Sequence, residues 1–398
     1  YREGKMKKLF IAAIMSLSLL TTSTFAEVKV GIILGFTGPI ESLTPAMRDS
    51  AKLAFKEASD SGALLGGEKI TVVEADSTCT DSAAATTAAE GLIAAGVTAI
   101  MGADCSGVTG AIITGVAVPN GIVMISPSAT SPGLTDAKDK KLFFRTAPSD
   151  LRGGNVLAQV TKDRGMKSVS VSYTNTDYGK GLEEVYVKAA KKLGVKINTS
   201  SSHEDGKADY NAEVGVLASA GGDALVVLGY VDQGGQGIIQ ASLDTGAFNT
   251  FVLSDGMYGE SLTKKFGTSI NGSFGSMPGS LGAGATKYKE MAKAAGINEK
   301  GPFIGESYDA AALIVLAMQS GKSADSKKIK KHILKVANAP GTKIYPGELK
   351  KGLELLAKGE KIDYEGATDV VMTKKGDAMG AFKEFEIQNG AFVDIKQR

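Results

Sequence analysis

Histidine is almost absent from this sequence. Only His203 and His332 occur in 398 residues. They stand far apart in polar or helical settings, so no histidine cluster is available to a metal ion. Neither sits in a loop where it would serve a serine or cysteine nucleophile as base. A secreted hydrolase working through Ser106 or Cys105 is therefore a poor reading, and neither metal nor cofactor is expected. Charge of one sign is missing too. The formal net charge is +2, and Arg2, Lys5, Lys7 and Lys8 against Glu3 place a surplus of three within the first 26 residues. Without that stretch the balance is about −1, which gives nucleic acid nothing to hold. Tryptophan is absent and aromatic residues make up only 6%.

Long apolar runs are also lacking, with one exception. Leu9 to Leu20 follows the basic Lys5, Lys7 and Lys8 and ends in a polar stretch closing on Thr24-Phe25-Ala26. That is the pattern of a cleaved secretory signal peptide over residues 1–26, with Met6 as its start. It is short for a membrane span, and no cysteine closes it for a lipid anchor. The expected product is soluble and exported.

Cysteine is scarce but placed with effect. Cys79 lies in Asp76-Ser77-Thr78-Cys79-Thr80-Asp81 and Cys105 in Gly102-Ala103-Asp104-Cys105-Ser106-Gly107. Two cysteines in an exported chain imply one disulfide. It would tie neighbouring loops together and leave the Ser106 hydroxyl beside them at a helix start, a place suited to a small anion such as a carboxylate.

The rest alternates strands with helices, the signature of parallel sheets covered on both faces. Strands are expected at Val28–Leu34, Lys69–Glu74, Val97–Met101 and Val123–Ser126, then again at Ser168–Tyr173, Ala224–Leu228 and Thr250–Leu253. Thr44 is expected to cap a helix beginning with Pro45, and Asp81 the helix Ser82–Ala95. Later helices are expected around Tyr308–Gln319 and Lys327–Ala337. Asn389-Gly390 marks a tight hairpin. Glycine clusters such as Gly234-Gly235 match no phosphate-loop spacing and read as turns. Two such units suggest a ligand held between them, at loops beyond the strands' carboxyl ends.

These loops resemble those of a family. Phe36-Thr37-Gly38-Pro39, the Cys79/Cys105 pair with Ser106, Ile125-Ser126-Pro127-Ser128-Ala129-Thr130-Ser131-Pro132, Phe144-Arg145-Thr146, Asp177-Tyr178-Gly179-Lys180-Gly181 and Asp255-Gly256 occur in the order and spacing of periplasmic amino-acid-binding proteins of the leucine/isoleucine/valine type. Those proteins are solute receptors of ABC importers. The resemblance covers almost the whole chain after the leader. It implies an α/β fold of two Rossmann-like lobes with parallel central sheets, joined by a three-segment hinge. One lobe would be 27–147 with 276–363, the other 148–275 with 364–398. Crossings would lie near Thr146–Ser149, Ser273–Gly279 and Tyr364–Thr368.

The resemblance also implies site roles. Ser106 and the Ala129-Thr130 loop would hold a ligand carboxylate, and Ser128 would offer a main-chain carbonyl to its ammonium. Asp255, where relatives often carry glutamate, would pair with that ammonium. Tyr178 and Tyr230 would close over the ligand. Leu43 and Met257 favour an aliphatic amino acid, while Glu41 would favour a polar or cationic one. The implied partners are a small amino acid and a membrane permease, with the receptor monomeric, periplasmic and not an enzyme. Two rivals share the fold: a sensory receptor, and a receptor for organic or aromatic carboxylates. Each site residue also has a plainer use, Ser106 as a helix cap and Asp255 as a solvated loop acid.

The disulfide generates the first prediction. A bridge closing 26 residues stabilises by about 3–4 kcal/mol in the chain-entropy model. Thiol labelling of unfolded, unreduced protein is expected to find no reactive thiol, and two would reject the bridge.

Overall fold

The computed structural model describes residues 27–398, so the signal-peptide reading of 1–26 lies outside the described residues. Apolar runs bounded by glycine become the central strands of two sheets. The first contains β1 (Glu27–Leu34), β2 (Lys69–Asp76), β3 (Ala99–Gly102), β4 (Val123–Ser126) and β5 (Phe143–Pro148). The second contains β6 (Ser168–Thr174), β7 (Lys196–His203), β8 (Ala224–Leu228), β9 (Phe251–Leu253) and β10 (Phe274–Pro278). A small parallel pair, β11 (Thr342–Ile344) and β12 (Ile362–Tyr364), stands apart. The chain ends with β13 (Asp377–Ala378), which joins the first sheet, and β14 (Phe382–Gln388) and β15 (Ala391–Gln397), which join the second.

The two sheets repeat one topology. Their orders are β13-β5-β4-β3-β1-β2 and β15-β14-β10-β9-β8-β6-β7. Through β10 every pairing within the two sheets is parallel. Each sheet therefore carries the 2-1-3-4-5 order of a doubly wound α/β fold. The second differs at its edge, where β14 and β15 run antiparallel. Asn389 and Gly390 turn that hairpin with φ of 52° and 73°, the left-handed pair a two-residue primed turn requires.

Helix Ile304–Gly321 returns to the first unit and is buried from Ile304 to Gln319. Its Gln319 accepts from the Leu65 amide at 2.7 Å. Its Asp309 accepts from Tyr364 Oη and from the Ala367 and Thr368 amides at 2.8–2.9 Å. Asp309 thus fixes the 364–368 connector to the helix. Among the described residues no helix is long and apolar enough to cross a membrane.

Some expectations need correction. Thr44 is the first residue of helix Thr44–Asp60, not its cap, because its hydroxyl donates instead to the Gly35 carbonyl at 3.0 Å. Asp81 does cap Ser82–Ala94, accepting from the Ala83 and Ala84 amides. The single helix expected at Lys327–Ala337 is two short turns, Ser326–Ile329 and Ile333–Val336. The chain passes between sheets after Pro148, after Pro278 and between Ala378 and Phe382. The third passage falls later than Tyr364–Thr368, because β13 still pairs with β5.

Arg145, on β5, secures that late passage. It is wholly buried. Its Nε meets Asp377 Oδ1 of β13 at 2.6 Å, and Nη1 donates to the Ala129 and Ser131 carbonyls at 2.9 Å each. Nη2 reaches Thr135 Oγ1 at 2.7 Å. Deleting the guanidinium strands a carboxylate and three acceptors, so Arg145→Met is expected to cost about 3–5 kcal/mol in urea unfolding. A loss below about 1 kcal/mol would show the network to be dispensable.

Candidate functional site

Strand order reverses between β1 and β3 in the first sheet and between β6 and β8 in the second. Loops leaving adjacent strands diverge at such points and open a crevice. The two crevices share one cavity. Leu43, Asp104, Ser106 and Ser128 line it from the first unit, and Tyr178, Tyr230 and Asp255 from the second. It is tight, about 30 Å³.

On the first side, the bridged Cys79 and Cys105 join the loops after β2 and β3. Asp104 binds the same junction, accepting from the Gly35 amide at 2.5 Å, Ser77 Oγ at 2.8 Å and the Cys105 amide at 2.9 Å. Burial pushes its carboxyl up, while those donors pull it down. Ser106 begins helix Ser106–Ile112. It makes no cap bond; its Oγ accepts from the Ser131 amide at 3.1 Å. Its own proton stays available to an acceptor in the cavity. Ser128 Oγ donates to the Asp104 carbonyl at 3.1 Å.

On the second side, Tyr178 and Tyr230 stack with ring centroids 5.2 Å apart. Tyr178 Oη donates to Asp255 Oδ1 at 2.5 Å, and the Gly256 amide adds a bond to that oxygen at 2.9 Å. Asp255 is buried, and burial pushes its pKa above the ordinary value. Asp150 lies behind it and is raised further, by burial and then by the charge of Asp255. Asp150 Oδ2 has no hydrogen-bond partner among the described residues.

The structure brings Leu43, Ser106, Ser128, Tyr178, Tyr230 and Asp255 together, but not every expected residue. Glu41 is exposed and lines no part of this cavity. Ala129 and Thr130 are buried and off its lining: the Ala129 carbonyl is taken by Arg145, and Thr130 Oγ1 has no hydrogen bond within ordinary distance among the described residues, though it stands near enough to Asp150 to pull that carboxyl down. Met257 is also buried outside it, packed so closely that a side chain at Gly235 would strike its sulfur. Sequence reasoning missed Ile40, Met47 and Phe303, which line the cavity, and Asp104 as the acid that ties its loops. The Asp104-Cys105-Ser106 triplet was the available signal for Asp104, since an acid before the bridge has amides and a hydroxyl of the joined loops within reach.

A latch crosses the cleft beside the cavity. The Asp232 amide donates to the Pro39 carbonyl at 3.0 Å. The Ser42 amide and hydroxyl donate to the Asp232 carboxylate at 2.8 Å each, and Ser261 Oγ adds a bond at 2.7 Å.

Comparison with known proteins agrees with this geometry. A family model described as "Periplasmic binding protein" matches residues 27–345. A Leu/Ile/Val-binding protein homolog 3 of Brucella melitensis is 32% identical over 54% of this chain and 57% of its own length. A Leu/Ile/Val-binding protein homolog 1 of Brucella suis is 31% identical over 63% and 66%. The matched part thus spans less than two thirds of either relative. The leucine-binding protein LivK of Thermotoga maritima shares the fold with a TM-score of 0.79 at 23% identity, covering 93% of this chain and 98% of that one. A Rhodopseudomonas palustris solute-binding protein solved with 4-hydroxybenzoate shares it with a TM-score of 0.75 at 17% identity, covering 94% and 97%.

The latch bonds one unit to the other, so it would add to the affinity of any ligand that favours a closed arrangement of the two. Asp232→Ala is expected to weaken binding about 3–30-fold in calorimetric titration, the equivalent of about 0.6–2 kcal/mol for solvent-exposed hydrogen bonds. Unchanged affinity would show the latch to be energetically silent.

Proposed function

The chain belongs to the periplasmic binding protein family, and we propose that it is an exported receptor which captures a small amino acid between its two units and delivers it to the membrane permease of an ABC importer. The observation that carries this reading is the charge of the cavity. Its first side offers hydroxyls at Ser106 and Ser128, and its second a buried carboxylate at Asp255 backed by Asp150. Arg145, the cation that acts on Asp150, is already committed to Asp377. A zwitterion suits both sides: its carboxylate takes the Ser106 proton, and its ammonium supplies the counter-charge that burial makes necessary.

Capture works by closure. The ligand touches both units, so it binds the closed form better and shifts the population toward it. Exclusion of water strengthens the ammonium–carboxylate attraction. The permease then reads the closed shape. The receptor acts as a monomer in the periplasm and performs no chemistry on its ligand.

A second reading rests on the stacked Tyr178–Tyr230 pair. That pair would also flank an aromatic carboxylate, as carried by the Rhodopseudomonas palustris protein solved with 4-hydroxybenzoate. Asp255 weighs against it, because a plain carboxylate leaves two buried acids facing a third.

A thermal-shift screen against the common amino acids and simple carboxylates identifies the ligand class, since a ligand of the folded state raises its stability by mass action. For the amino acid so found, Asp255→Asn is expected to cost about 2–5 kcal/mol in affinity. Affinity is also expected to fall with acidification, because only ionised Asp255 pairs with ammonium. Its raised pKa starts that loss above the ordinary carboxylate value of 3.8. Equal binding of the amino acid and its keto acid by the parent would replace this reading with the second.

A further inference from the structure

The tight cavity has no room for a side chain, but a second cavity of about 350 Å³ lies beyond Phe303. That is within the size range of small-molecule sites. Phe303 lines both cavities and holds a left-handed backbone (φ 56°, ψ 11°), a conformation that bulky residues rarely keep without a local reason. The walls beyond it are aromatic, from Tyr258, Tyr288 and Phe392.

Glu306 also lines this second cavity. It sits in the first turn of helix Ile304–Gly321 and is 3% exposed. No ion pair or side-chain hydrogen bond reaches its carboxylate among the described residues. The cation that acts on it, Lys383, is bound by Asp394 at 3.1 Å. Burial pushes Glu306 to about 7; Asp309 and Asp255 push the same way, and Lys383 opposes them. A buried carboxylate in that state gains most from a cation brought by the ligand.

We propose that the second cavity is the side-chain compartment of the ligand site, and that it selects a basic α-amino acid whose terminal ammonium or guanidinium meets Glu306. This rests on the amino-acid reading above. The α-carboxylate and α-ammonium occupy the tight cavity, and the side chain runs past Phe303 along the aromatic wall. Lys289 and Lys300, on the same lining, offer the opposite chemistry to an acidic side chain. Glu299 lines the cavity with them, and Lys300 is exposed.

Calorimetric titration of the exported protein with lysine, arginine, ornithine, norleucine and 2-aminoadipate tests this. At least one basic amino acid is expected to bind about tenfold or more tighter than norleucine, which has similar length and no cation. Glu306→Gln is expected to bring that ratio to within about threefold of unity. If Glu306→Gln does not fold, the parent's basic-to-norleucine ratio reads the same group: it is expected to fall between about pH 8 and about pH 6 as Glu306 takes up its proton. Asp255 serves both ligands and cancels in the ratio, whereas Asp309, pushed by burial to about 6 although Tyr364, Ala367 and Thr368 donate to it, adds to the fall only at the acid end of that range. Norleucine binding as well as the basic amino acids, 2-aminoadipate binding tightest, a ratio unmoved by Glu306→Gln, or one flat with pH would each overturn the proposal while leaving an amino-acid receptor. Binding of no amino acid at all would remove the receptor reading itself, and this proposal with it.

Discussion

The first half of the site depends on one buried carboxylate. Asp104 gathers donors from the ends of three strands: the Gly35 amide after β1, the Ser77 hydroxyl after β2 and the Cys105 amide after β3. Loops leaving parallel strands have no ladder to fix them. A charge that needs three donors at once sets their relative height. Gly35 is the residue that permits this approach, since a side chain there would press on Cys79 and on Asp104 itself. The disulfide closes the same junction covalently. Ser106 is thereby held at the cavity wall without a cap bond of its own.

The second half is built on the opposite principle. Burial drives all three acids up, but Asp104 takes its donors from three separate loops, whereas Asp150 Oδ2 has no hydrogen-bond partner among the described residues. A fold tolerates such acids only where other interactions outweigh them, and their cost falls when a cation arrives. A zwitterion bound as proposed would turn its anionic end to the hydrogen-bonded first side and its cationic end to the acidic second side. The stacked tyrosines contribute shape and exclude water, and the Tyr178 hydroxyl steers the Asp255 oxygen it holds.

The chain's sequence made the doubly wound pattern legible, because apolar strands such as Val123–Ser126 and Ala224–Leu228 are buried on both faces and punctuated by glycine. Edge and polar strands were not legible. Lys196–His203 lies at a sheet edge, only partly buried, and shows no apolar run. Phe274–Pro278 carries glycine, serine and proline yet sits inside the second sheet. The disulfide follows from two cysteines in an exported chain, and six of the nine site residues that the resemblance implied meet at one cavity. Two expected residues lie off the cavity lining: Glu41 is exposed, and Thr130 is buried. Asp150, Phe303 and Glu306 were out of reach because only the packing of distant segments makes them neighbours of the site. Glu306 in particular stands in a helix whose buried, mostly apolar course gives no sign that one acid faces a cavity.

The chain passes between its two sheets three times, after Pro148, after Pro278 and before Phe382. Neither unit is therefore a continuous stretch that a single cut would release. Three tethers also make reclosure an intramolecular event at high effective concentration, unlike the meeting of two separate bodies. Weak, water-exposed contacts such as those of Asp232 then suffice to bias open against closed. Under the proposed function, a receptor of this design would trade tight grip for rapid release by adjusting its rim and leaving its core untouched.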